Sequence, residues 1–163
     1  MDKKSHLLLL ILQASDIWRL ADPENLKVPV DNRLMRLALR TGMVEVTETR
    51  TAQALRSAEK LADRAVENLR RTVQEAIREA VAASGRSLFD IDTLFWHLGR
   101  SCCYPERPRF CGEGFCQEKD ICTFVRFTDY DSPDKCPLDG LCRGSRDTEY
   151  AALREPPVET TYY

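Results

Sequence analysis

The chain has 163 residues, with 24 basic and 26 acidic side chains and a formal net charge of -2. That length suits one ordinary domain with a fair core and room for a small appended module. The near-cancelling charge excludes a histone-like or tail-type binder of nucleic acid, while leaving a local basic patch open.

Taken in order, the first element is an apolar run, His6 to Leu12, behind Lys3 and Lys4. The run resembles the start of an export signal, but its apolar core is short and is followed at once by Gln13, Ser15 and Asp16. A buried helix over about 4–21 is therefore expected, apolar on its Leu7, Leu8, Ile11 and Trp18 side, with an export signal as the alternative. The run is also too short to span a membrane. Asp22-Pro23 ends it. Asp31 then stands directly before Asn32 to Arg40 with Gly42 behind, the pattern of a short helix with an aspartate cap and a glycine stop.

The segment 49–83 places Leu55, Ala58, Ala62, Val66, Leu69, Val73, Ile77 and Val81 at helical spacing, with a break expected near Asp63. Its alternating Glu and Arg residues read as a solvated face. After Ser84-Gly85-Arg86-Ser87, residues 88–98 read as another helix, closed by Gly99. His97, following Trp96 on that helix, is expected to pack in the core rather than bind metal. No strand is evident, and the class is mainly α with an irregular metal-bound lobe. The expected organisation is a helical domain over 1–99, a cysteine-rich loop over 100–146 and an extended tail over 147–163.

All seven cysteines fall between Cys102 and Cys142. Short loops between thiols let a chain wrap one metal centre. A secreted domain stapled by disulfides would rarely leave 1–99 without a cysteine, so a reduced, intracellular protein is expected. Four thiolates satisfy zinc as readily as an iron–sulfur cluster, and spacing does not separate the two.

Three motifs in order resemble the helix-hairpin-helix DNA glycosylases, the superfamily of endonuclease III and the adenine glycosylases. Val30-Asp31-Asn-Arg-Leu-Met-Arg36, followed by Arg40-Thr-Gly42-Met-Val44, is similar to the helix carrying that family's catalytic aspartate. His97-Leu-Gly-Arg100-Ser-Cys-Cys103 is similar to the Gly-Arg-x-x-Cys that leads into its four-iron, four-sulfur loop. Arg107-Pro-Arg-Phe-Cys111 and Cys136-Pro-Leu-Asp-Gly-Leu-Cys142 are similar to its Pro-x-Cys and Cys-Pro-Leu-x-x-x-Cys. The resemblance implies a 4Fe-4S cluster on Cys103, Cys111, Cys136 and Cys142. Cys116 and Cys122 are alternative ligands, since they share the closing Cys-x5-Cys spacing, and zinc is the alternative metal.

The chain departs from the family upstream. Nothing between Met1 and Pro29 matches the glycine-rich hairpin that holds a DNA phosphate, nor the lysine nucleophile that bifunctional members carry there; Lys27 lies outside any such motif. The resemblance therefore implies DNA as partner, with a second chain or second copy completing the fold, and no membrane. Asp31 is the expected catalytic carboxylate, stabilising an oxocarbenium-like sugar as the base departs, against its plain reading as an N-cap. Arg100, Arg107 and Arg109 are the expected phosphate contacts. Eight basic and eight acidic residues between Arg100 and Arg146 read equally as a balanced surface. Two functions of different class follow: a DNA glycosylase-like protein cleaving an N-glycosidic bond in base excision repair or base modification, or a non-catalytic iron–sulfur or zinc protein serving as a nucleic-acid-binding or assembly subunit. An electron carrier is a third.

Overall fold

The structure is a computed structural model that describes residues 3–104 and 136–157. Among the described residues there is no strand, and the α-helices are α1 (Lys3–Ala14), α2 (Asn32–Thr41), α3 (Thr49–Arg56), α4 (Asp63–Ser84), α5 (Leu88–Ser101) and α6 (Thr148–Ala151). The mainly α class read from the sequence is the observed one.

The centre is α2. Asp31 Oδ1 accepts from the Leu34 amide at 2.9 Å, and Gly42, at φ 81°, closes the helix in the left-handed conformation. A cap of this kind contributes about 1 kcal/mol. Between the two ends every residue from Leu34 to Arg40 is buried. Leu34, Met35, Ala38 and Leu39 pack with Val28, Val30, Leu55, Val73 and Ile77 into the main core. The polar stripe of the helix is buried as well, which an amphipathic pattern would not suggest. Arg36 and Arg40, four apart and therefore on one face, spend their donors on main-chain carbonyls that no ladder satisfies. Arg36 donates to Cys103 O (2.7 Å) and Gly99 O (2.8 Å) and pairs with Glu155. Arg40 donates to Leu153 O (2.7 Å) and to Tyr104 O, with Cys103 Sγ at 3.4 Å.

The long amphipathic segment divides as expected. Ala58, at φ 54°, turns the chain between α3 and α4, and Gly85, at φ 65°, stops α4. Val73 and Ile77 face the core, while Gln74 and Arg78 donate to Val28 O (2.8 Å) and Leu26 O (3.1 Å). In this way α4 holds the non-helical segment that leads to Asp31.

Three expectations are corrected. The first helix ends at Ala14 rather than near 21, and it is not a buried centre. Only Leu10 of α1 is buried, whereas Leu8, Ile11, Ile17 and Trp18 are exposed, Trp18 by 58 %. Gly99 does not stop α5; the helix runs through it to Ser101. A Cβ at Gly99 would lie 2.9 Å from the Arg33 Cβ and 3.2 Å from its carbonyl oxygen, so the glycine is there for close approach to α2. Finally, the tail expected to be extended contains α6, and its Leu153 and Pro156 are buried.

Arg40 is 2 % exposed, and Arg40→Met would strand several buried acceptors at once, each worth about 1–3 kcal/mol. The expected loss is about 3–5 kcal/mol, read as a lower urea midpoint at unchanged slope.

Candidate functional site

Three elements bring charged groups within electrostatic reach of the start of α2. Asp31 enters from the segment that Gln74 and Arg78 of α4 hold in position. Its side chain is almost covered; Oδ1 serves the cap, and Oδ2 meets Arg33 Nη1 at 3.3 Å. Both readings of Asp31 therefore hold together geometrically, because capping uses one oxygen only. Asp92 comes from α5, where the reciprocal Ser87–Asp90 capping box starts the helix and Ile91 anchors its inner face. Asp92 is 6 % exposed, and its Oδ1 has no hydrogen-bond partner among the described residues. Lys3 comes from the first turn of α1. That helix packs on α5 and is tied to the Asp31 segment by His6, whose Nδ1 accepts from the Lys27 amide at 3.3 Å.

The electrostatics follow from burial. Burial pushes the Asp92 carboxyl up to about 7; the negative Asp31 adds to the rise, and Lys3 opposes it. Half-buried Lys3 is moved the other way. Its ammonium falls below the ordinary lysine range chiefly through desolvation, with Asp31 opposing and Arg70, Arg33 and Lys4 adding to the fall. Asp31 thus acts on both Asp92 and Lys3, which lie on different helices.

Two clefts open here. Asp31, Arg33, Arg36, Gly99, Arg100 and Tyr104 line one of about 480 Å³; Lys3, His6, Lys27, Val30 and Arg70 line one of about 270 Å³. Both are within or close to the size range of small-molecule sites. Arg100, expected as a phosphate contact, stands 5.1 Å from the Trp96 ring centre, with Arg33 at 5.4 Å from the same ring. Trp96 therefore anchors two guanidiniums at the rim of the Asp31 cleft. His97 meets Trp96 edge-on at 5.1 Å and is only partly buried, with burial and Arg100 lowering its pKa.

The cysteines that are described converge. Cys102, Cys103, Cys136 and Cys142 line one predominantly apolar pocket together with Leu37, Leu98 and Arg40. None forms a disulfide. Cys142 Sγ lies 3.3 Å from the Arg40 carbonyl oxygen, which closes the end of α2 against the loop. Burial pushes the Cys136 thiol up to about 11, and the neighbouring Cys103 and Cys142 raise it further against the opposing Leu138 amide. Cys142 is raised as well, again chiefly by burial. As arranged, no three His, Cys, Asp or Glu side chains among the described residues form a metal-holding group. Burial in this apolar pocket thus favours the protonated form of the Cys136 and Cys142 thiols. Cys111, Cys116, Cys122, Arg107 and Arg109 lie outside the described residues.

Lys3 and Asp92 were missed at the sequence level. Lys3 looked like the basic flank of an apolar run, and Asp92 like one more acid on a helix. Only their convergence on Asp31 distinguishes them.

Asp92 offers a stability test. Its folded pKa lies above its unfolded value of 3.8, so the folded state binds more protons between the two values, and its stability falls as pH rises from about 4 to 7. Asp92→Asn, which cannot ionise, is expected to raise stability at pH 8 by a few kcal/mol, on the order of 1.4 kcal/mol per pH unit of displacement, and to change it little near pH 4. Thermal melts of the two proteins at both pH values check this.

No curated protein and no solved structure matches the chain. A family does: AGOG, described as N-glycosylase/DNA lyase, matches residues 7–119. The matched stretch contains Asp31, Asp92, Trp96 and Arg100, and it stops before Cys122, Cys136 and Cys142. It covers more than half of the 163 residues, and its helical fold, its aspartate-capped α2 and the cleft at that cap agree: the chain belongs to the AGOG family of N-glycosylase/DNA lyases.

Proposed function

We propose that the protein binds DNA, releases a base by cleaving an N-glycosidic bond and opens the strand by an amine-dependent lyase step, with Asp31 and Lys3 as its reacting groups. The observation that carries this reading is the half-buried Lys3, with its weakened ammonium, in the field of Asp31. A desolvated lysine gives up its proton more readily than an exposed one, and as the free amine it is a nucleophile toward a sugar C1′. As the base leaves with the bonding pair, the Asp31 carboxylate stabilises the positive charge that develops on the sugar. Because Arg33 and the Leu34 amide hold that carboxylate in place, it does not reorganise during the step. Ring opening then gives a protonated imine on Lys3 Nζ. Water then takes a C2′ proton, the C2′–H pair forms a C2′–C3′ double bond, and the phosphate leaves with the C3′–O bonding pair. The target base has to leave the stack first, and the cleft of about 480 Å³ at Asp31 has room for one. Arg100, with Arg107 and Arg109, grips phosphates.

The cysteines carry a separate part of the proposal. Cys103, Cys136 and Cys142, with Cys111 as fourth ligand, hold a 4Fe-4S cluster that braces the loop. Support comes from the shared pocket, which joins Cys136 and Cys142 to Cys103 across a long stretch of chain. The guanidinium of Arg40, 3.4 Å from Cys103 Sγ, offsets part of the ligand charge. A second chain or second copy completing the fold has support of its own in the exposed Leu8, Ile11, Ile17 and Trp18.

On a panel of duplexes containing damaged bases, Asp31→Asn with an unchanged circular dichroism spectrum should lose base release by at least about 100-fold. Borohydride should trap a covalent protein–DNA adduct with the native chain and none with Lys3→Ala. Base release that survives Asp31→Asn, or an adduct formed without Lys3, sinks the corresponding assignment. For the loop, anaerobically purified protein should contain iron and acid-labile sulfide, both lost in Cys136→Ser. Stoichiometric zinc in their place rules the cluster out.

A further inference from the structure

Three segments build the smaller cleft, of about 270 Å³: α1 brings Lys3 and His6, the stretch before Asp31 brings Lys27, and α4 brings Glu67, Arg70 and Arg71. With His6 counted neutral, this lining sets four cations against one carboxylate, a formal +3 on a chain whose net charge is -2. Glu67 is already spent on Arg70, whose Nη1 lies 3.1 Å from its Oε2. The backbone oxygens of Leu26 and Val28, which would repel an anion, accept from Arg78 and Gln74. His6 adds a donor. Its Nδ1 accepts from the Lys27 amide at 3.3 Å, so the neutral ring carries its proton on Nε2. Lys27, Glu67 and Arg71 are exposed, and the cleft therefore opens to solvent. Like charges gathered at one opening focus the field and favour an anion there.

We propose that this cleft seats a DNA phosphodiester flanking the nucleotide whose sugar Lys3 attacks, with Lys27 and Arg71 as its cationic contacts and His6 as a neutral donor. This rests on the reading of the protein as a DNA glycosylase with Lys3 as the attacking amine. A strand presented to Lys3 brings its phosphates to the same opening, because they are bonded to the oxygens of the very sugar that the amine must reach. The position also suits extrusion of a base. Val30 lines this cleft and Asp31 the larger one, so the two openings adjoin at consecutive residues. A nucleotide turned out of the stack at Asp31 can then be held by its backbone on both sides, by Arg100 in the larger cleft and by Lys27 and Arg71 in this one. Arg71 reaches Asn68 at 3.4 Å, and that long contact is easily exchanged for a phosphate oxygen.

The test is equilibrium binding of the full-length chain to a duplex carrying an unreactive abasic-site analogue, over a series of KCl concentrations. The pair Lys27→Ala with Arg71→Ala should weaken binding at low salt by at least about 10-fold and make the slope of log Kd against log salt shallower by about 1. Lys27→Arg with Arg71→Lys should keep the native slope. A control pair, Arg64→Ala with Arg86→Ala, removes the same charge from exposed positions outside the cleft and should change the affinity far less. In the native chain, an uncharged methylphosphonate at one of the two phosphates flanking the abasic position should weaken binding, and the Lys27→Ala, Arg71→Ala pair should be indifferent to it. An unchanged slope and affinity in that pair, or an equal loss in the control pair, overturns the proposal. Should the alanine pair not fold, native binding that is insensitive to a methylphosphonate at either flank overturns it equally. A native chain that binds no duplex at low salt strikes at the DNA reading itself, and an adduct formed by Lys3→Ala strikes at the reading of Lys3, which separates these failures.

Discussion

The burial of two guanidinium groups inside one helix governs this structure. Taking Arg36 and Arg40 out of water is expensive unless every donor finds an acceptor. The acceptors are the carbonyls of Gly99, Cys103, Tyr104 and Leu153. Those carbonyls belong to the end of α5, the start of the cysteine loop and the C-terminal tail, which have no regular structure to satisfy them. Each side therefore needs the other. Separating α2 from these segments would strand a charge and several carbonyls at once, which ties the helix bearing Asp31 to the loop bearing the thiols.

The site beside it works against stability. Asp31 and Asp92 are both buried, and the cost shows in Asp92, a carboxyl that burial pushes up to about 7. The surrounding frame supports the cost. The capping box fixes the first turn of α5, Gly99 lets α5 lie against Arg33, and Gln74 and Arg78 of α4 hold the chain just before Asp31.

Local signals in the sequence were legible where local chemistry decides the outcome. The Asp31 cap, the Gly42 stop and the division between α3 and α4 follow from propensity and turn chemistry, and they appear where the residues indicate. Gly99 was misread because a glycine at a helix end and a glycine at a helix crossing look alike in one dimension; only the nearness of Arg33 separates them. The run from Leu7 to Leu12 misled for another reason. Apolar content says that a face prefers to be covered without saying what covers it, and within this chain most of that face is not. The motif carrying Asp31 pointed to the family, whereas Lys3 and Asp92, 89 positions apart in the chain, form no motif and are joined only by folding.

The clasp made by Arg36 and Arg40 has a consequence for how such a chain varies over time. The carbonyls of Gly99, Cys103, Tyr104 and Leu153 that it grips are main-chain oxygens, which every amino acid carries. Side chains at Leu153 or Tyr104 can drift, so long as the backbone keeps its path, without loosening the grip. The two arginines have no such freedom, because no other side chain offers as many donors in a planar fork. Divergent sequences of this architecture would then keep a pair of arginines four residues apart, beginning five positions after the capping aspartate, while the segments they bind become unrecognisable.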